Sequence, residues 1–138
     1  MIPVAITDWR EYLKDGEKYL QTASGASIRR SEIFTPEILY NITAMGIEKL
    51  IMGFLMSRGD LAENHTMGDL LFALKRHLKL PERLINDLLY LDSFQEICDL
   101  DTYNRRPPTP EESGRILEIG RNLETFINKS LNQCQPAT

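Results

Sequence analysis

The sequence predicts an all-α fold, an up-and-down bundle of four to five helices. Apolar residues recur at i, i+3 and i+4 through most of the 138-residue chain, the spacing that gathers side chains onto one helix face. No segment shows the strict alternation of a half-buried strand. Hydroxyl residues followed by proline or an acid mark helix starts, and the short connections between them favour antiparallel neighbours.

The spacing predicts a first helix over residues 8–22, with Trp9, Leu13 and Leu20 toward one face. Residues 23–31, ASGASIRRS, are rich in small side chains and read as an internal linker. Thr35-Pro36-Glu37 then supplies an N-cap hydroxyl, a proline at the first helical position and an acid in the first turn. The second helix runs to about Arg58 and is apolar nearly all round, through Ile38, Leu39, Ile42, Met45, Ile47, Leu50, Ile51, Phe54 and Leu55. A helix without a polar face is central in a bundle or shared with a second chain. Gly46 and Gly53 fall on one side of it and predict a close helix crossing.

Thr66 caps a third helix whose Met67, Leu70, Leu71, Leu74 and Leu78 form one stripe. Pro81 opens a fourth, with Leu84, Ile85, Leu88, Leu89, Leu91 and Cys98 inward. After the stretch DTYNRRPP, Thr109-Pro110-Glu111-Glu112 gives a capping box. The last helix carries Ile116, Gly120, Leu123, Ile127 and Leu131 inward. Residues 1–132 form one domain on this reading, and 133–138 a disordered tail.

A formal net charge of −4 argues against broad, non-specific nucleic-acid binding, which needs an extended basic surface. A local basic patch is compatible with it. Cys98 and Cys134 form neither a CxxC pair nor a disulfide framework and suit a reducing compartment. There is no secretory leader pattern at the N-terminus, and no apolar run approaches the ~20 residues of a membrane span. A cytoplasmic protein without a membrane anchor is expected.

Three groups of residues stand out chemically. Glu48 and Lys49 lie within the apolar second helix and, being adjacent, point in different directions, so each needs its own partner. Arg58 ends that helix, and His65 stands after a six-residue spacing, GDLAEN. Tyr103, Arg105, Arg106 and Pro107 precede the last helix; arginine grips phosphate bidentately and tyrosine stacks on a base. His65 reads as a structural residue beside the third N-cap or as a phosphate contact at that helix N-terminus. His77, after Lys75 and Arg76, reads as part of a solvated cationic face. Two histidines twelve apart and no cysteine cluster give no metal site, and no phosphate-loop, dinucleotide or nucleophile-elbow motif occurs. No cofactor is expected.

The apolar second helix with its Glu48–Lys49 pair, His65 at the start of the next helix, and the Tyr103-Arg105-Arg106-Pro107 cluster resemble the HEPN superfamily over residues 36–131. The resemblance implies a helical bundle, a symmetric homodimer, and work alone or beside a minimal nucleotidyltransferase. Ribonucleases of that superfamily use an arginine followed four to six residues later by a histidine, near the last long helix. The corresponding stretch here, residues 105–112, holds no histidine. The resemblance therefore implies a non-catalytic binding or accessory module that contacts a nucleotide, an RNA or a nucleotidyltransferase partner. Its expected ligand residues are Tyr103, Arg105, Arg106, Glu48 and His65. One alternative is a metal-independent endoribonuclease of toxin–antitoxin type using Arg58 and His65. Another is a protein-interaction module with no nucleotide ligand.

Overall fold

A computed structural model of the chain describes residues 8–29, 35–64, 66–94 and 108–133, without the side chains of 26–29 and 133. Five helices form it: α1 (Trp9–Arg29), α2 (Pro36–Ser57), α3 (Met67–Lys75), α4 (Glu82–Asp92) and α5 (Pro110–Gln133). No strand occurs among the described residues. Helix α2 is the centre of the bundle, packing on α1, α3 and α5. Its Ile47, Leu50, Ile51, Phe54 and Leu55 are fully buried against Leu70, Leu74, Leu88, Leu123 and Ile127 of the surrounding core.

The three predicted caps form. The Thr35 hydroxyl accepts from the Ile38 amide at 3.2 Å, and the Thr66 hydroxyl accepts from Asp69 at the same distance. At α5 the capping box is complete: Glu112 N–H donates to the Thr109 hydroxyl at 3.2 Å, and Thr109 N–H to the Glu112 carboxylate at 2.9 Å. Helix α2 ends in a Schellman motif, with Gly59 N–H bonded to Met56 O and Asp60 N–H to Leu55 O, both at 2.9 Å. Gly59 takes φ +73°, which only glycine adopts without strain.

The glycine crossing joins α2 to α1 and is closer than the second helix alone suggests. A Cβ on Gly16 would lie 2.9 Å from the Gly46 carbonyl oxygen, and one on Gly53 would lie 2.9 Å from Leu13 Cγ. Gly16 faces Gly46 while Leu13 faces Gly53, so the two helices run antiparallel.

Several expectations need correction. Residues 23–29 are helix, not linker: Ala23 is fully buried beside Leu39, and Arg121 Nε on α5 donates to the Ser24 hydroxyl at 3.1 Å. Small side chains there serve close packing. The third helix stops at Lys75, before Leu78, and the fourth at Asp92, before Cys98, which lies outside the described residues. Leu89 points outward. Gln133 belongs to α5, while 134–138 lie outside the description. Finally, the 22-residue α2 is long and apolar enough, by length and composition, to cross a bilayer. Most of it is buried in the bundle, as befits a core helix.

Candidate functional site

Tyr103, Arg105, Arg106 and His65 lie outside the described residues. Of the predicted ligand residues, Glu48 is placed: it is half-buried on α2 and has a partner of its own. Its neighbour Lys49 folds back within the protomer, with Nζ 4.3 Å from the centre of the Tyr12 ring on α1. Among the described residues, an aromatic face rather than a carboxylate holds this cation.

Arg58, from the alternative ribonuclease pair, sits at the C-cap of α2 with its guanidinium 5.0 Å above the Phe54 ring. His77 packs on the same ring in a T-shaped arrangement, the ring centroids 6.5 Å apart. His77 does not stand on the open, solvated face that the sequence suggested. It is half-buried, and its Nε2 lies 2.8 Å from Asp60 Oδ2. Arg76 donates to the same oxygen from Nε at 3.2 Å and Nη2 at 3.0 Å, and the Leu61 amide donates to Asp60 Oδ1 at 2.8 Å. The cluster lowers the Asp60 pKa to about 2, chiefly through the His77 bond, which outweighs the opposing effect of burial, and then through Leu61 and Arg76. It fastens the end of α2 to the end of α3.

A second polar site lies between α4 and α5, which sequence reasoning missed. A groove of about 340 Å³ is lined by Arg83 and Asp87 from α4 and by Arg115, Glu118, Ile119 and Asn122 from α5. The Arg115 guanidinium stacks 3.8 Å above the Tyr90 ring, while its Nη2 stands 3.9 Å from Asp87 Oδ1, beyond hydrogen-bond reach. Among the described residues neither Arg83 nor Arg115 forms a side-chain hydrogen bond, and Arg115 is held by its ion pair with Asp87 and by the Tyr90 ring. Tyr90 O–H donates to Glu112 at 3.3 Å, joining the last turns of α4 to the first turn of α5. The i, i+4 pair Arg83–Asp87 and the α5 face carrying Arg115, Glu118 and Asn122 were visible in the sequence. Their meeting across one groove was not, because it depends on the register of two helices.

Among the described residues, no three His, Cys, Asp or Glu side chains gather as metal ligands would. The Asp60 cluster offers one carboxylate and one imidazole, and the groove alternates cations with acids.

No protein-family model matches the sequence, and no curated protein matches it. Solved structures do. TT1696 from Thermus thermophilus superposes with a TM-score of 0.72 at 20% identity, over 88% of this chain and 97% of the other. A HEPN domain protein from Thermotoga maritima (tm0613) gives 0.69 at 19% identity, over 88% and 98%. The fold is that of the HEPN domain. ST0689, an archaeal HEPN homologue, agrees at 0.66 and 16% identity, over 93% of this chain and 98% of the other. At such identities the likeness carries the HEPN fold and leaves the chemistry to this chain's own residues.

Proposed function

We propose that the protein is a non-catalytic HEPN-type binding module, homodimeric and cytoplasmic, that takes a phosphate-bearing ligand (a nucleotide or an RNA) at the α4–α5 groove and through Tyr103, Arg105 and Arg106. The observation carrying this reading is the pair of guanidinium groups, Arg83 and Arg115, on opposite walls of one groove, neither of which forms a side-chain hydrogen bond among the described residues. Arginine presents planar paired donors that match phosphate oxygens, and a guanidinium already stacked on tyrosine loses little freedom when it binds. Asp87 and Glu118 line the same groove, so the site selects an anion that the arginines can reach while its neutral parts lie along the acids. A nucleotidyltransferase partner would present its nucleotide to the same groove.

Self-association belongs to α2. Ile38 and Met45, two turns apart on this core helix, are 40% and 44% exposed. They make an apolar stripe of the kind that pairs with a second copy.

A second reading, the endoribonuclease, draws on Arg58, which meets no carboxylate among the described residues and shares the Phe54 ring with His77. His65 or His77 would then take the 2′-hydroxyl proton.

Binding of ATP and of a short single-stranded RNA to the parent and to an Arg83→Ala, Arg115→Ala double variant tests the first reading. Loss of both guanidinium groups weakens binding by at least about tenfold, each charged hydrogen bond being worth about 1.5–3 kcal/mol. Equal affinity of parent and variant would remove the groove from the site.

A further inference from the structure

Away from the α4–α5 groove, the outer face of α3 carries an unassigned surface. Phe72 is 66% exposed, more than any other large apolar residue among those described, while Met67, Leu70, Leu71, Ala73 and Leu74 of the same helix are buried. Leu61, in the α2–α3 connection, is 40% exposed. The two are joined by Arg76, whose guanidinium lies 5.5 Å from the Phe72 ring centre and whose Nη2 donates to the Leu61 carbonyl at 3.5 Å. Asp60 holds that guanidinium through two hydrogen bonds and is itself held by His77 and the Leu61 amide. The surface is therefore fixed before any partner arrives, which lowers the ordering cost of docking.

Its charge points to what docks there. Lys75 and Lys79 are exposed and form no ion pair among the described residues, in a chain whose formal net charge is −4. An exposed aromatic beside an arginine, with Lys75 one turn further along the same helix, has the make-up of an interface core with its rim. Nucleic acid fits less well. A phosphate strand needs a continuous cationic track, and here Arg76, between Lys75 and Lys79 in the chain, is already engaged by Asp60. The apolar share, Phe72 with Leu61, suits a side-chain anchor.

We propose that the Phe72–Leu61–Arg76 surface docks an acidic segment of another protein, inserting an apolar side chain beside Phe72 and setting its carboxylates against Lys75 and Lys79. The site is independent of the phosphate groove, so either stands if the other fails.

Amide chemical-shift mapping on the full-length protein tests it, with a synthetic peptide of glutamates bearing one leucine and one phenylalanine as the probe. Controls are the same peptide with lysine for glutamate, and oligouridylate. The glutamate peptide is expected to shift Leu61, Phe72, Lys75 and Arg76 at millimolar concentration. Its Kd should rise about tenfold in Phe72→Ser, as expected of an interface anchor. In Lys75→Glu, Lys79→Glu the Kd should rise further, and the exposure of all three positions keeps these variants folded. The proposal is overturned if the glutamate peptide leaves these amides unmoved. It is equally overturned if the lysine peptide or oligouridylate moves them as strongly.

Discussion

Asp60 shows how one side chain can hold two helix ends. Its carboxylate accepts from His77, Arg76 and the Leu61 amide, and its own amide closes the α2 C-terminus on Leu55. These bonds favour the ionised form, so the folded-state pKa of about 2 lies below the ordinary 3.8. The stability they contribute is therefore present above pH ~4 and is lost as pH falls through ~2. Asp60→Asn should cost about 1 kcal/mol at neutral pH, a small value because the cluster is partly exposed. Thermal melts should show the variant losing less stability than the parent between pH 4 and 2; parallel losses would mean that another carboxylate dominates. The helix end near Arg58 was legible in the sequence. The His77 contact was not, since it required α3 to stop at Lys75 and let the chain turn back. Periodicity had run that helix on to Leu78, because Leu78 packs on the core from outside the helix.

At the scale of the elements, the α1–α2 crossing sets the tightest constraint. Gly46 and Gly53 announced a close approach, but Gly16, which completes it, sits among polar residues and gave no comparable signal. The same small-residue logic misled at 23–29, where alanine, serine and glycine look like a linker yet allow α1 to continue against α5 and Leu39. Glycine-to-alanine changes separate the two uses of the residue. A Cβ at Gly16 would lie 2.8 Å from Leu50 Cγ and 2.9 Å from the Gly46 oxygen, whereas one at Gly114, in α5, meets nothing within 4 Å. Gly16→Ala should thus destabilise by about 1–3 kcal/mol despite its better helix propensity. Gly114→Ala should stabilise by up to about 1 kcal/mol. Urea denaturation of the pair reads the difference, and two variants of equal stability would contradict a backbone-close crossing.

For the molecule as a whole, the all-helical bundle, the caps and the central place of α2 were all legible from apolar spacing and hydroxyl-proline starts. The polar sites were less so. Arg83 and Arg115 are ordinary helix-surface residues until the register of α4 on α5 brings them to one groove. The exposure of Ile38 and Met45 depends on which side of α2 its neighbours leave open. That stripe predicts a dimer at micromolar concentration by light scattering, and Met45→Glu, which sets a charge into it, should yield a monomer that still folds. A parent that is monomeric at that concentration would contradict the assignment. The central claim is that this HEPN fold binds without cutting. Its most direct test is incubation of the purified protein with a mixed RNA pool in EDTA, followed by recovery of the RNA, with a His77→Ala variant alongside. The account predicts RNA retained by the protein and recovered intact from both. RNA cleaved by the parent and spared by the variant would contradict it and establish a ribonuclease.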